Sequence, residues 1–295
     1  MGRRIKRLAT SALVLTFVAA LIFWPLTSPL YLSLADLPVH LADPVNGERM
    51  LHAGGCTACH GEGLGGGLVL ESDFGAFHVP NISPDPGTGI GNWSELDLVN
   101  AMMLGSSPGG KHYYPSFPYT SYTRMKVQDI MDLKAYLDTL QPVDHAVAPH
   151  DLRFPWSFRR AVGLWKLFYL KQGPVVSGPA DDPVFDRGRY LVEGAGHCGE
   201  CHTPRNRLGG LRLGKWLTGG PNPDGEGRVP NITPDPDGLG SWSESDITYY
   251  LESGFTPDFD TVGGSMVKVQ EHMALLPAED REAIAAYLKS IPARR

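Results

Sequence analysis

A five-residue pattern that occurs twice constrains this chain more than any other feature. Cys56-Thr57-Ala58-Cys59-His60 and Cys198-Gly199-Glu200-Cys201-His202 together use all four cysteines of the 295 residues. Further text repeats around each copy. Val79-Pro80-Asn81-Ile82-Ser83-Pro84-Asp85-Pro86 and Gly91-Asn92-Trp93-Ser94-Glu95 follow the first. Val229-Pro230-Asn231-Ile232-Thr233-Pro234-Asp235-Pro236 and Gly240-Ser241-Trp242-Ser243-Glu244 follow the second. Each half closes on a helical patch, 127–140 with Ala135-Tyr136-Leu137 and 277–291 with Ala286-Tyr287-Leu288. Two copies cannot make a solenoid, so the repeat reads as two similar domains.

The order of elements is the same in both halves. A short helix (about 45–54, about 185–194) leads into the cysteine pair, and a long loop follows. The next helix starts after Trp-Ser-Glu, with Ser94 and Ser243 as N-caps ahead of acidic first turns. The last helix carries Ile130, Leu133, Leu137 and Leu140 at helical spacing. No strand ladder stands out, so the expected class is all-α, two tandem units with long loops. The 35 glycines and 25 prolines fall in those loops, and a core so rich in turns needs an organiser such as a large buried cofactor. The expected divisions are 1–35, 43–145, 146–180 and 181–295. The third, a linker, holds a mixed aromatic and basic stretch at 150–173. It reads as a helix packed across both domains, or as a basic amphipathic patch on a membrane surface.

Two thiols three residues apart on a helical turn can bond the two vinyl groups of a haem, and the next residue, His, then comes beneath the iron. The expected attachment residues are Cys56, Cys59, Cys198 and Cys201, with His60 and His202 as proximal ligands of two covalently bound haem c groups. Zinc is the first alternative. All four thiols could share one tetrahedral site, but the pairs sit in separate repeats, and partners at finger spacing are missing. Thioredoxin-type disulfides would need a β-α-β pattern that is absent.

Methionine as sixth ligand stabilises ferrous iron and suits a carrier. Met266 follows Gly263-Gly264-Ser265, twelve residues beyond Gly254. Twelve residues beyond the matching Gly105 stands Phe117, which cannot ligate. Met125 is the candidate in the first half and His112 its rival, while Met102 and Met103 look like helix interior. An open iron there would instead suit a haem enzyme or a gas sensor. His52 and His197 flank the attachment sites and read as surface residues or as props for the haem edge. Asn81, Asn231, Trp93 and Trp242 read as shaping the crevices, the asparagines through hydrogen bonds to propionates, and Arg205 as a propionate partner.

Arg3, Arg4, Lys6 and Arg7 precede an uncharged run whose most apolar part is 8–24. Basic residues stay cytoplasmic, which puts the rest of the chain on the outer face. Residues 8–24 span about 25 Å as a helix, short of a hydrocarbon core of about 30 Å. An extension bent at Pro25 and running to Leu32 would close the gap. Ser33-Leu34-Ala35 is a small-x-small site far from the apolar run, which favours an anchor over a cleaved signal. The net charge of −6 gives no sign of a nucleic-acid partner.

With these residues in view, the chain resembles the cytochrome c family, and within it the cytochrome subunits of bacterial membrane-bound alcohol, aldehyde and sugar-acid dehydrogenases. The resemblance rests on Gly55-Cys56-Thr57-Ala58-Cys59-His60, both Pro-Asn-Ile stretches, Tyr114-Pro115-Ser116-Phe117-Pro118-Tyr119 and Gly264-Ser265-Met266. It implies class I cytochrome c-like domains and a non-enzymatic electron carrier. The implied partners are a periplasmic or membrane-bound dehydrogenase and a respiratory acceptor (oxidase, cytochrome or quinone). Those subunits usually carry three haems where this chain has two sites. They often hold an axial Met where Phe117 stands, and a similar dihaem branch has Phe there with a later Met, as at Met125.

Overall fold

The computed structural model describes residues 2–179, 181–222, 225 and 227–295, with the backbone alone at positions 3–5. The expected ends of the first segment (residue 1) and of the linker (residue 180) lie outside the described residues, as do the side chains of Arg3 and Arg4.

The apolar run forms helix α1 (Gly2–Leu26). Its stretch Lys6–Leu26 has 21 residues, about 30 Å of helix, enough to cross a hydrocarbon core. The helix does not continue to Leu32 as expected. The Thr27 and Ser28 hydroxyls fold back onto the Phe23 and Trp24 carbonyls at 2.7 and 3.0 Å. Side chains of this kind compete with the backbone for its acceptors, and the chain leaves the helix after Leu26.

The first repeat contains α2 (Pro44–Ala53), α3 (Cys56–His60), strands β1 (Val69–Ser72) and β2 (Gly75–His78), α4 (Glu95–Leu104), α5 (Tyr119–Tyr122) and α6 (Val127–Leu137). Then come β3 (Asp151–Leu152) and α7 (Val162–Tyr169). The second repeat contains α8 (Pro183–Arg189), α9 (Gly199–His202), β4 (Gly220–Pro221), β5 (Arg228–Val229), α10 (Glu244–Ser253), α11 (Met266–Ala274) and α12 (Ala278–Ser290). The class is mainly helical, as expected. Added to it are a small antiparallel sheet, β1-β2-β3, and a two-residue ladder, β4-β5. These strands are too short to carry an alternating pattern.

The caps form as expected. Ser94 and Ser243 each accept from the backbone N–H three residues on, and Asp97 and Asp246 return the bond. Both middle helices then stop on a left-handed glycine, Gly105 or Gly254.

The first and last helices of each repeat cross at a glycine. A Cβ on Gly47 would lie 2.1 Å from the Asp132 carbonyl oxygen and 2.7 Å from Tyr136 Cβ. On Gly188 it would lie 2.0 Å from the Ala283 carbonyl oxygen and 2.7 Å from Tyr287 Cβ. Cys56 follows Gly47 by nine positions, and Cys198 follows Gly188 by ten. The extra residue is absorbed by a π-helical turn, Tyr190–Ala195, in which the Gly196 N–H donates to the Leu191 carbonyl. An insertion that would have rotated the second attachment site about the helix axis is thus taken up locally.

One unbroken core runs through both repeats, from Met50, Val99, Ile130 and Leu137 to Leu191, Val192, Ile284 and Leu288. Helix α7 lies across both. Lys166 Nζ donates to the carbonyls of Leu104 and Gly105 at 2.6 and 2.7 Å, Trp165 Nε1 to Leu208 O at 2.8 Å. Gly188→Ala forces the α8–α12 crossing apart and lowers stability by about 1–3 kcal/mol, measured by denaturant unfolding followed by far-UV circular dichroism.

Candidate functional site

The chain must turn sharply to enter each attachment helix. Gly55 does so with φ 54°, and His197, at the matching position before Cys198, with φ 40°. A histidine there is strained, and it is held in place. His197 Nε2 pairs with the Gly54 carbonyl at 3.1 Å, and its ring lies edge-on to Tyr122 at 5.5 Å. His197 is therefore an interface residue and not a surface one.

Each predicted proximal histidine faces a carbonyl of the repeated Pro-Asn-Ile stretch. His60 Nδ1 lies 2.8 Å from Pro80 O, and His202 Nδ1 lies 2.9 Å from Pro230 O. A carbonyl can only accept, so Nδ1 carries the proton and the Nε2 lone pair is left for a metal. Burial lowers both imidazole pKa values, that of His60 to about 4, which keeps the ring neutral as ligation requires. These side chains fit a haem iron. Four thiols in one zinc site do not fit: among the described residues, no cluster of three or more His, Cys, Asp or Glu is arranged to hold a metal ion. Thioredoxin chemistry does not fit either. Burial pushes the Cys56 thiol up to about 12 and Cys198 to about 11, whereas a redox pair needs a depressed value.

The loop that presents these carbonyls is built identically in the two repeats. Leu64 and Leu217 are buried in left-handed backbone, φ 58° and 60°. Their carbonyls accept from Ile82 N and Ile232 N. Two residues on, Gly66 and Gly219 donate to the carbonyls of His60 and His202 at 2.8 and 2.7 Å. A Cβ there would lie 2.4 Å from the Pro80 or the Val229 carbonyl oxygen. The sequence held a signal for this that went unread, the shared Leu-x-Gly ahead of each Pro-Asn-Ile. The asparagine amides are spent on the chain and not held out for propionates. Asn81 Nδ2 donates to Val143 O at 2.7 Å and Asn231 Nδ2 to Arg294 O at 2.8 Å, each tying the loop to the tail after the last helix.

The segments that lead into the two attachment sites touch each other. A Cβ on Gly54 would lie 3.6 Å from Ala195 O, and one on Gly196 3.5 Å from Ala53 O. The contact is reciprocal, as about a two-fold axis. Each attachment helix is also held by the other repeat. Thr57 Oγ1 shares a 2.7 Å hydrogen bond with His272 Nε2, and His272 Nδ1 lies 3.1 Å from His52 Nδ1. Glu200 accepts from Thr120 Oγ1 and Ser121 Oγ at 2.6 and 2.8 Å and from Arg205 at 2.6 Å. Arg205, expected as a propionate partner, pairs here with Glu200. A second carboxylate, Glu193, accepts from Val175 N, Val176 N and the Tyr287 hydroxyl at the same seam.

Met266 opens α11, partly buried against the core. Met125 is 5% exposed just after α5. Phe117 packs edge-on among Tyr113, Tyr119 and Tyr122. Met102 and Met103 lie within α4, as expected. His112 is spent elsewhere: its Nε2 donates to the Thr27 carbonyl at 2.8 Å, where α1 ends.

Removing the Glu200 carboxylate leaves the Arg205 charge and two hydroxyls inside the seam. Glu200→Ala lowers stability by about 3 kcal/mol or more, read by chemical denaturation of the detergent-extracted protein, while Glu200→Gln, which keeps the volume, costs less.

Comparison with known proteins agrees with this geometry. The family profile for cytochrome c matches residues 44–141. A "Diheme cytochrome c-type" protein of Cereibacter sphaeroides is 51% identical over 299 residues, 98% of this chain and 99% of the relative. The fructose dehydrogenase cytochrome subunit of Gluconobacter japonicus is 37% identical over 84% of this chain, and the cytochrome c subunit of a quinone-type alcohol dehydrogenase from Gluconobacter oxydans is 35% identical over 84%. The chain spans 52% and 54% of those two subunits. Together with the paired attachment sites, these likenesses establish the chain as a member of the cytochrome c family that carries two covalently bound haem c groups.

Proposed function

We propose that this chain is a membrane-anchored two-haem relay. It takes electrons from a dehydrogenase on the outer face of the cytoplasmic membrane and hands them to an oxidase, cytochrome or quinone of the respiratory chain. The observation that carries this reading is the reciprocal seam at Gly54 and Gly196, which brings together the segments that lead into the two attachment helices. Several dehydrogenase cytochrome subunits among the relatives support a partner of that class.

Bound haem c supplies a one-electron iron couple. In this reading Cys56 and Cys59 hold the first group by thioethers, and Cys198 and Cys201 the second. His60 and His202 would ligate the two irons, their rings fixed in orientation by Pro80 O and Pro230 O. Met266 and Met125 would supply the second protein ligands. The seam keeps the separation of the two sites constant, and the apolar core excludes water.

The N-terminal helix is read as a retained anchor. Thr27 has no solvent exposure. His112 and Arg160 hold it, the latter with Nε 2.9 Å from Thr27 Oγ1, and a Cβ on Gly163 would lie 2.7 Å from Thr27 O. Further along, Leu32 N donates to Asn100 Oδ1 at 2.7 Å and the Tyr31 hydroxyl to Ser107 O at 2.7 Å. Cleavage after Ala35 would strip out residues that the body is built around.

Expressed with its maturation machinery, the protein binds two haems per chain by pyridine haemochrome, and the Cys198→Ser, Cys201→Ser double variant binds one. Met266→Ala removes about half of the weak far-red band of ferric Met–iron ligation and lowers one of the two midpoint potentials; an unchanged band would reject Met266 as ligand. Solubilised in mild detergent, the chain co-purifies with a dehydrogenase whose substrate reduces both haems. A substrate that reduces neither would overturn the relay.

A further inference from the structure

The segment 153–160, between β3 and α7, is left without a role by the relay. It packs against the last turn of α1. The Phe23 and Phe158 rings are stacked at 6.2 Å and 12°, and the Arg160 guanidinium lies 4.5 Å over the Trp24 ring. Arg160 also donates to the Trp24 carbonyl and, at 2.8 Å, to Ser28 Oγ.

These contacts fix a depth. Lys6–Leu26 matches the hydrocarbon thickness, so Phe23 and Trp24, in its last turn, stand at the outer boundary. A ring stacked on Phe23 stands at the same level. Yet Phe158 is 52% exposed and Phe154, one turn earlier in the same loop, is 86% exposed, with Arg153 exposed beside it. Single exposed phenyl rings are ordinary, but these two lie in one loop beside the exit of the span, where a grouped apolar surface marks a contact. At a bilayer boundary, aromatic rings meet the acyl chains while arginine reaches the phosphates.

The loop is also rigid enough to act as a foot. Arg153 N donates to Phe74 O at 3.0 Å, continuing the β2–β3 pairing. The Tyr114 hydroxyl donates to Trp156 O at 3.0 Å, and the Trp156 ring packs edge-on to Phe74 at 4.9 Å. Arg159 donates to His112 O at 3.0 Å, linking the loop to the residue that holds Thr27.

We propose that the loop 153–160 is a second membrane contact, a monotopic foot whose Phe154 and Phe158 rings enter the outer-leaflet interface of a phospholipid bilayer. It rests on the reading of α1 as a retained anchor. One transmembrane helix alone leaves the body free to tilt, and a second contact beside its exit fixes how the two-haem body sits over the bilayer.

The test uses the full haem-loaded chain in nanodiscs of phosphatidylethanolamine and phosphatidylglycerol. The native cysteines are consumed by haem, so a cysteine introduced by Phe154→Cys, Phe158→Cys or, as an aqueous control, Phe259→Cys (85% exposed) takes a nitroxide label selectively. The expected result is high accessibility to oxygen and low accessibility to a water-soluble nickel chelate at 154 and 158, with the reverse at 259. Phe154 is so exposed that its replacement leaves the fold intact. Nickel accessibility at 154 and 158 equal to that at 259, in protein whose intact mass includes residues 2–35, overturns the foot and leaves the anchor standing. A mass lacking those residues removes the anchor reading, and the foot with it.

Discussion

The hydrogen bond from a histidine ring to a proline carbonyl governs the layout of each repeat. Iron needs a neutral imidazole whose Nε2 points one way, and a ring on a flexible side chain rotates unless its other nitrogen is held. Pro80 and Pro230 hold it. Presenting that carbonyl beneath an attachment helix requires the chain, 20 or 28 residues on, to return to the histidine. The buried left-handed leucines, Leu64 and Leu217, and the glycines two residues on are the consequence. Strained backbone of this kind persists only where surrounding structure enforces it, and the asparagine ties to Val143 and Arg294 do so.

Much of this was legible in the sequence because it is local. The attachment motifs, the capping serines, the middle helices and the position of the last helix all follow from spacing and side-chain chemistry within ten or so residues. The Gly47 and Gly188 crossings were equally present in the text but carried no periodic signal. A glycine inside a helix is read as a weakness until the partner helix is seen 2 Å from where a Cβ would stand. The π-helical turn was visible only as a one-residue difference in spacing, which has no meaning before the glycines are aligned. The seam was beyond reach: His52, His197, Glu200 and Arg205 looked like features of their own neighbourhoods, whereas their partners are 80 to 220 positions away or, for Arg205, a neighbour committed across the seam. The asparagines were misjudged for the same reason, since the tail they bind is distant in the chain.

The seam also breaks the symmetry that the repeat sets up. At the third position of the pattern the first repeat has Ala58 and the second has Glu200. The carboxylate is buried, yet its pKa is lowered. Burial works against that, and it is outweighed by the Arg205 charge and the hydroxyls of Thr120, Ser121 and Arg205's guanidinium N–H. An ion pair whose buried carboxylate has both oxygens hydrogen-bonded is near neutral in sum but directional in its contacts. It fastens the segment 117–125 of the first repeat to the attachment helix of the second, while His272 fastens α11, which begins at Met266, to the attachment helix of the first. Each repeat therefore carries one part of the other's frame, and neither half can be loosened without disturbing both.

That interlock explains the value of joining two units in one chain. Two separate carriers would meet at random orientations, and only a small fraction of encounters would bring their redox groups together. Here the unbroken core fixes the arrangement, and the exchange becomes intramolecular, independent of concentration. On the proposed reading of α1 as a retained anchor, the fold also has a direction. The groups that grip the exit of α1, Asn100, Ser107, His112, Arg160 and Gly163, belong to the first repeat and the segment after it. In that reading the first site would be tied to the bilayer through its own repeat, and the second joined to it through the seam. A chain so anchored would hold its two sites in a fixed order with respect to the membrane, which freely diffusing copies of either half would lack.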